Sequence, residues 1–389
     1  MTVPTMMHAL NNGAFTLAQQ IAEDVTLLER LKDMVNRYSV PQISLPLVFV
    51  PVFFFMFWFY RFWTKPIVFW PGFLVFTIVY FGLIPLDASY ASILTKPDNV
   101  PISMMIFLTI YFLWLALRQA AINDRNMEIG KPLIEEDRED KVLCWPDLVY
   151  TELIAMILCS VVLVIWSVLL KAPLEAPANP AGPPNPSKAP WYFLGLQELL
   201  VYFDPWMAGV VLPGLIVLGL AAMPYIDINP KGNGYYTYKE RKFAILTWMF
   251  GYVILWVVLI VFGTFLRGPN WNFFGPFQPW DAHRVDKLTN INLSEILYVR
   301  MLGTNMPENL LVREWLGIVL TVFWLFMLPP LLTKVWPLFG RLRSQMGFAR
   351  YYLMSSLFVI MMLVPVKMVG RWLFNLKYII AMPEINFNL

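Results

Sequence analysis

The sequence predicts an all-α, polytopic membrane protein with about eight transmembrane helices. The chain has 389 residues, of which 58% are hydrophobic and only 14% charged, whereas soluble domains carry about 25% charged residues. Its mean hydropathy is +0.59. The apolar residues are concentrated in long runs, and several runs reach the length of about 20 residues that a helix needs to cross a bilayer.

Each of these apolar runs is predicted to form one membrane span. In chain order, the predicted spans are Leu45–Trp63, Ile67–Leu86, Ile102–Leu117, Leu148–Leu170, Ala208–Ile226, Phe243–Phe265, Leu316–Val335 and Tyr351–Val369.

The spans divide the chain into four predicted parts. Residues 1–44 form an amphipathic N-terminal segment, in which Leu27, Leu28, Leu31 and Met34 share one stripe of a helix. Residues 45–125 form a three-span extension, and residues 148–389 form a five-span C-terminal domain. Residues 126–147 are rich in Asp and Glu, so we expect a solvated linker between the two sets of spans.

Lysine and arginine residues in short loops predict the orientation of the spans. They cluster in residues 227–242, in residues 334–350 and around Arg61 and Lys65. Cytoplasmic loops carry an excess of such residues. If the spans alternate, these three clusters face the cytoplasm together, whereas residues 1–39, 190–205 and 267–314 face the opposite, positive side.

Composition also excludes several functions. A net charge of +3 is too small for a nucleic-acid surface. Cys144 and Cys159 form no metal-binding or redox motif. The histidines are His8 and His283, and neither lies in an apolar run. Because two b-type haems in a helical bundle need two histidine pairs, this chain is not expected to ligate a haem by itself.

One segment beside the fifth span combines aromatic residues with a carboxylate. It follows the proline-rich residues 172–190 and contains Trp191, Tyr192, Phe193 and Glu198, with Phe203 shortly after. The aromatic rings can form an apolar slot for a quinol, and Glu198 can accept its proton. A helix that begins near Trp191 would place Trp191 and Glu198 on one face. Alternatively, the aromatic residues are interfacial anchors and Glu198 forms a structural ion pair or cap.

The same segment carries a resemblance to a known family. Ala189-Pro190-Trp191-Tyr192 resembles the Pro-Glu-Trp-Tyr motif of cytochrome b, which lies at that family's quinol-oxidation site. Residues 263–276 resemble the loop after helix G in the same family, Arg313-Glu314-Trp315 resembles the entry to helix H, and Trp145-Pro146-Asp147 resembles the entry to helix E. The resemblance extends roughly from Leu143 to the C-terminus. The chain is therefore similar to a split-off C-terminal half of cytochrome b, and in this it resembles subunit IV of the plastoquinol–plastocyanin reductase. Its motif resembles the bacterial form of the family motif.

This resemblance implies a subunit of a proton-translocating, respiratory quinol:cytochrome c (or similar acceptor) oxidoreductase in the bacterial inner membrane. Its substrate would be a quinol, with menaquinol expected from the bacterial form of the motif. The implied partners are a haem-bearing N-terminal half of cytochrome b, a Rieske protein with a 2Fe–2S cluster, c-type cytochromes and membrane lipids. The b haems would lie in the partner, and the complex would be dimeric.

The chain departs from the family motif at the acidic position, which is Pro190 here. Proline cannot accept a proton, so Glu198 is the predicted acceptor and Asp204 the second candidate, although Asp204 also fits a helix cap. The resemblance implies that Tyr192 positions the quinol hydroxyl or guides the Rieske head, and that the slot is lined by Pro190, Trp191, Phe193, Leu194 and Phe203. Arg267 is expected to be an anchor at the end of a span.

Two other functions remain open at this point. The first is a structural membrane subunit of the same complex that has lost its own quinol chemistry, which the missing motif glutamate would explain. The second is a transporter, which is disfavoured because the predicted spans contain few charged residues.

Overall fold

The computed structural model describes residues 27–137, 141–170, 177–228 and 236–389. Most of these residues are helical, and eight helices are long and apolar enough to cross a membrane. The predicted fold class and the predicted number of spans are therefore confirmed. The eight spans are Pro41–Trp58, Pro66–Leu86, Pro97–Glu128, Cys144–Leu169, Met207–Ile226, Tyr238–Leu266, Leu310–Val335 and Pro337–Phe374.

Shorter elements connect the spans. Residues 27–38 form a helix before the first span, whereas residues 1–26 of the predicted amphipathic segment lie outside the described residues. The other short helices are Tyr60–Trp63, Ala88–Leu94, Ile134–Asp137, Leu194–Leu199, Leu293–Glu295 and Ile296–Met301. Near the C-terminus, strands Ala381–Met382 and Phe387–Asn388 pair antiparallel.

The third span continues for eleven residues beyond its predicted end, Leu117. Most of the added residues are polar, and several of them are hydrogen-bonded to other parts of the protein. The fully buried Asp124 accepts hydrogen bonds from the Tyr60 hydroxyl at 2.7 Å and from the backbone N–H of Tyr238 at 3.2 Å. Because these partners come from other parts of the chain, sequence patterning does not reveal them.

The eighth span is also longer than predicted, since its helix begins at Pro337 instead of near Tyr351. Gly347 interrupts it with a φ of 77°, in the left-handed region that favours glycine. The part before Gly347 is rich in arginine but buries Phe339 completely. It is thus a surface helix that precedes the membrane-crossing part.

Contacts at the two ends of the bundle fit the predicted alternation for the first three spans and the sixth. At one end of the bundle, Lys32 pairs with Asp87 at 2.9 Å, and the side-chain oxygen of Asn36 accepts the Phe277 N–H at 2.9 Å. We call this the site end, because it also carries residues 177–205. At the opposite end, Glu128 pairs with both Arg61 and Lys239.

The predicted N-terminal extension packs directly onto the C-terminal domain. Phe49 packs edge to face on Phe262 with 5.6 Å between ring centroids, and Phe53 packs on Phe250 at 5.8 Å. Both regions contribute to one hydrophobic core. The predicted acidic linker is docked rather than fully solvated, because Glu135 accepts hydrogen bonds from the side chains of third-span residues; residues 138–140 lie outside the described residues.

The fourth span, by contrast, buries none of its residues against the rest of the described chain. Cys144 and Cys159 are both exposed and form no disulfide. Packing within the described residues therefore does not fix the position of this helix.

The seventh span supports the C-terminal hairpin through a close contact at Gly317. A Cβ atom at this position would overlap with the carbonyl oxygen of Ile379. We therefore expect Gly317→Ala to destabilise the protein by about 1–3 kcal/mol, because overpacking forces the backbone apart. The measurement is thermal unfolding in detergent.

Gly219→Ala is the matched control, since Gly219 also lies in a helix but a Cβ atom added there would have nothing within 4 Å. This control should leave stability unchanged or raise it slightly, because alanine favours helices. A melting temperature for Gly317→Ala at or above that of the wild type would contradict the packing argument.

Candidate functional site

The predicted aromatic residues form an exposed turn at the site end. Pro190 is extended, and the carbonyl oxygen of Pro190 accepts the Phe193 N–H at 2.8 Å, which closes a 3-10 turn over Trp191–Phe193. The exposed fractions of Trp191, Tyr192 and Phe193 are 37%, 46% and 48%. We call Trp191–Phe193 the aromatic turn. Together with the exposed Pro190, it offers an apolar surface to a ligand or a partner.

A short helix, Leu194–Leu199, holds the aromatic turn against the sixth span; we call it the loop helix. The approach is close because two glycines face the contact. A Cβ atom on Gly195 would lie 3.2 Å from the Ile260 side chain, and one on Gly263 would lie 3.1 Å from the Leu194 carbonyl oxygen. The backbone of the aromatic turn is therefore fixed relative to the sixth span.

The predicted slot residues do not all share one surface. Leu194 packs into a cluster with Ile102 and Ile260, and the exposed fraction of Phe203 is 1%. These two side chains therefore belong to the hydrophobic core and not to an exposed slot. The structure brings Pro190 together with the aromatic turn on the outside, and places Leu194 and Phe203 in the core.

The sequence predicts that Trp191 and Glu198 share one face if a helix begins near Trp191, but the α-helix begins only at Leu194. Trp191 is exposed, whereas Glu198 is completely buried. The 3-10 turn at Trp191–Phe193 has 3.0 residues per turn instead of 3.6, so it shifts the register of the α-helix that follows. Glu198 consequently points into the protein.

Glu198 is held in a bidentate ion pair with Arg267. Arg267 Nε donates to Glu198 Oε2 at 2.9 Å, and Arg267 Nη2 donates to Oε1 at 2.6 Å. The third nitrogen, Nη1, donates to the Trp271 carbonyl oxygen at 2.9 Å. Burial works against the charge of Arg267, but the Glu198 carboxylate raises the pKa of Arg267 above its ordinary value. Arg267 is therefore more than the expected anchor, because it binds the predicted acceptor.

Lys188 is a further residue of the site, and the sequence pattern does not indicate it. Its Nζ donates to the Thr264 carbonyl oxygen at 2.7 Å and lies 5.1 Å from the centroid of the Trp280 ring. Burial, aided by the charges of Lys96 and Arg267, lowers the pKa of Lys188 to about 7. A lysine at the end of a proline-rich stretch gives no sign of burial, since the residues that cover it come from a distant loop.

The remaining candidates take other roles. Asp204 Oδ1 accepts a hydrogen bond from the Tyr378 hydroxyl at 3.0 Å, and Asp204 directly precedes the helical residues that begin at Pro205. His283 lies in an exposed loop and donates its backbone N–H to Asp281, while His8 lies outside the described residues. Within the described ranges, no three His, Cys, Asp or Glu residues are grouped so that they could hold a metal ion.

Comparison with known families supports part of the resemblance. Residues 177–277 match the family model described as Cytochrome b(C-terminal)/b6/petD. This match covers about a quarter of the chain, which is less than the predicted range from Leu143 to the C-terminus. It includes the aromatic turn, Glu198 and Arg267. No curated protein and no solved structure matches the chain significantly.

The buried ion pair predicts a stability effect. Arg267→Gln leaves the Glu198 carboxylate buried without its cation, so we expect a loss of about 3–5 kcal/mol in the free energy of unfolding. The double variant Glu198→Gln/Arg267→Gln should recover much of that loss, because it buries two neutral amides instead. Thermal unfolding measures both variants.

Arg284→Gln is the control, because it breaks the exposed ion pair between Arg284 and Asp286 and should cost less than about 1 kcal/mol. If Arg267→Gln and Arg284→Gln lowered the free energy of unfolding equally, the buried pair would contribute no more to stability than the exposed pair.

The lowered pKa of Lys188 predicts a pH dependence of stability. Between its folded pKa of about 7 and its ordinary value of 10.5, Lys188 is neutral in the folded protein and charged in the unfolded chain. Unfolding then takes up a proton, so stability rises with pH by about 1.4 kcal/mol per pH unit. Below pH 7, Lys188 is charged in both the folded and the unfolded state, so its contribution to stability no longer changes with pH.

Chemical unfolding of the wild type and of Lys188→Gln at pH 7 and pH 9 isolates this contribution. The wild type should gain stability relative to Lys188→Gln over this range. Lys287→Gln, which removes an exposed lysine, serves as the control. A constant difference between the wild type and Lys188→Gln would contradict the buried position of the amine.

Proposed function

We propose that the chain is a membrane subunit of a quinol:cytochrome c (or similar acceptor) oxidoreductase, in which the aromatic turn forms part of the quinol-oxidation site. One observation carries the proposal. Within the region that matches the cytochrome b C-terminal family, an exposed aromatic turn leads directly into the loop helix, which carries the buried Glu198 in its ion pair with Arg267. Apolar rings beside a few fixed polar groups are typical of sites for small amphiphilic molecules.

The aromatic turn would supply one wall of the quinol site. Pro190, Trp191 and Phe193 would contact the ring and tail, and the Tyr192 hydroxyl would orient a quinol hydroxyl. Leu194 and Phe203 would not contact the quinol directly, since both are buried in the core. The exposure of the turn is consistent with an opposite wall formed by another subunit.

The family resemblance supplies the partners in this proposal. A quinol gives up two electrons and two protons on the positive side. One electron would pass to the 2Fe–2S cluster of a Rieske protein and the other to b haems in a partner that resembles the N-terminal half of cytochrome b. A c-type cytochrome would take electrons onward. The complex would be dimeric, would lie in a bacterial inner membrane and would use menaquinol.

Glu198 is the proposed proton acceptor in place of the motif glutamate. To take a proton, its carboxylate must first separate from Arg267, which otherwise holds both oxygens. We propose that quinol binding at the aromatic turn allows this separation. The proton would then leave on the positive side.

A second candidate is a structural subunit of the same complex without its own quinol chemistry. The same ion pair favours this alternative, because Glu198 is completely buried and fully engaged. In that case the pair serves only to hold the loop helix.

A pair of variants in the assembled complex separates the two candidates. If Glu198 accepts the proton, Glu198→Gln should lower quinol oxidation by a factor on the order of 10²–10⁴, because an amide cannot accept it. The double variant Glu198→Gln/Arg267→Gln should stay equally slow. Turnover is measured as quinol-dependent reduction of the electron acceptor in purified complex.

Recovery of turnover in the double variant would show that Glu198 acts through its ion pair, which supports the structural candidate. Unchanged turnover of Glu198→Gln in an assembled complex would exclude Glu198 as the acceptor. Assembly is checked by co-purification of the subunits, so that a loss of turnover is not confused with a loss of the complex.

A further inference from the structure

A second concave site lies at the site end, beside the loop helix. It is a cleft of about 660 Å³, which is within the range of small-molecule sites. Its walls come from several parts of the chain, represented by Gln42, Gln197, Trp271, Asn290 and Arg371. None of the aromatic-turn residues lines it. The cleft is therefore separate from the proposed quinol surface.

Two basic residues of the cleft form no ion pair with a carboxylate in the described ranges of the chain. Arg371 is only 8% exposed, and its Nη1 donates to two backbone carbonyl oxygens, those of Thr289 and Asn375, each at 3.0 Å. Lys377 Nζ lies 3.4 Å from the Leu200 carbonyl oxygen. Both side chains therefore bind neutral acceptors.

The nearby carboxylates are already engaged. Glu198 is paired with Arg267, and Asp286 is paired with Arg284 at 3.1 Å. Asp204 accepts the hydroxyl hydrogen bond from Tyr378. The cleft therefore keeps an excess of positive charge that the described part of the protein does not neutralise.

This excess charge is electrostatically costly. Burial lowers the pKa of Lys377, and the neighbouring charge of Arg371 lowers it further, whereas Asp204 opposes the shift only in part. Two partly desolvated cations repel each other, and an anion placed between them would relieve both penalties. The described structure thus favours an anionic ligand in the cleft.

The position of the cleft indicates where such an anion would come from. Arg371 lies just before Phe374, where the eighth span ends, and Lys377 just after it. Pro41, which begins the first span, and Arg267, which follows the end of the sixth span, also line the cleft. Lipid headgroups occupy this level of the membrane, and tryptophan side chains such as Trp271 are typical of it.

We propose that this cleft binds the phosphate of an anionic phospholipid headgroup through Arg371 and Lys377. The guanidinium of Arg371 keeps Nε and Nη2 free of hydrogen bonds within the described residues, so it can hold a phosphate by two parallel bonds. Lys377 adds a point charge on the other side. The proposal is independent of the quinol chemistry.

Lipid binding to the purified complex tests the proposal. The complex is delipidated in detergent and then supplied with phosphatidylglycerol, with phosphatidylcholine or with inorganic phosphate. Native mass spectrometry counts the bound lipids, and thermal unfolding measures stabilisation. We expect phosphatidylglycerol to be retained and to raise the melting temperature more than phosphatidylcholine does.

Variants locate the binding in the cleft. Lys377→Gln and Arg371→Gln should each weaken phosphatidylglycerol binding at least about fivefold, since each removes a charged hydrogen-bond donor worth more than about 1 kcal/mol. Arg371→Lys keeps the charge and should retain part of the binding. Arg300→Gln, which removes an exposed arginine at the same end of the bundle but outside the cleft, should bind like the wild type.

The outcomes are distinct. Competition by inorganic phosphate would support recognition through the phosphate, whereas phosphatidylglycerol binding that excess inorganic phosphate does not reduce would contradict it. If only inorganic phosphate stabilised the complex, the anion in the cleft would be free phosphate, and the proposal of a lipid headgroup would be wrong. Equal effects of phosphatidylglycerol and phosphatidylcholine, or wild-type binding by both Lys377→Gln and Arg371→Gln, would overturn the site.

Discussion

The buried ion pair between Glu198 and Arg267 constrains the whole site end of the protein. It joins the loop helix to the end of the sixth span, and the third hydrogen bond of Arg267 fixes the following loop at Trp271. Removing two charges from water costs several kcal/mol per ion, which only good geometry and further hydrogen bonds offset. The two segments are therefore held in one arrangement, and the orientation of the aromatic turn follows from it.

Close packing acts together with this pair. Gly195 and Gly263 allow the loop helix to lie directly on the sixth span, which leaves no room for the loop to shift without breaking contacts. The result is a rigid support under an exposed turn. When the support is already rigid, less of the binding free energy of a ligand is lost in ordering the protein. Such a support would suit a surface that forms one wall of a site shared with another subunit.

The sequence predicted what depends on local pattern and missed what depends on distant contacts. Eight spans were predictable because each is a continuous apolar run. The true end of the third span was not, because Asp124 is stabilised by Tyr60 and Tyr238 from other parts of the chain. The aromatic turn was predicted from its residues, but the 3-10 register that turns Glu198 inward was not. The local sequence does not indicate that Arg267 forms an ion pair or that Lys188 is buried.

Arg267 connects the loop helix with the cleft. It binds Glu198 of the loop helix, and it also lines the basic cleft. An anion in the cleft would attract the same guanidinium that holds Glu198, and would therefore weaken its hold on the carboxylate. By thermodynamic linkage, protonation of Glu198 would in turn free Arg267 and strengthen anion binding. A lipid phosphate and a quinol proton would then favour each other through one shared side chain, without any movement of the spans.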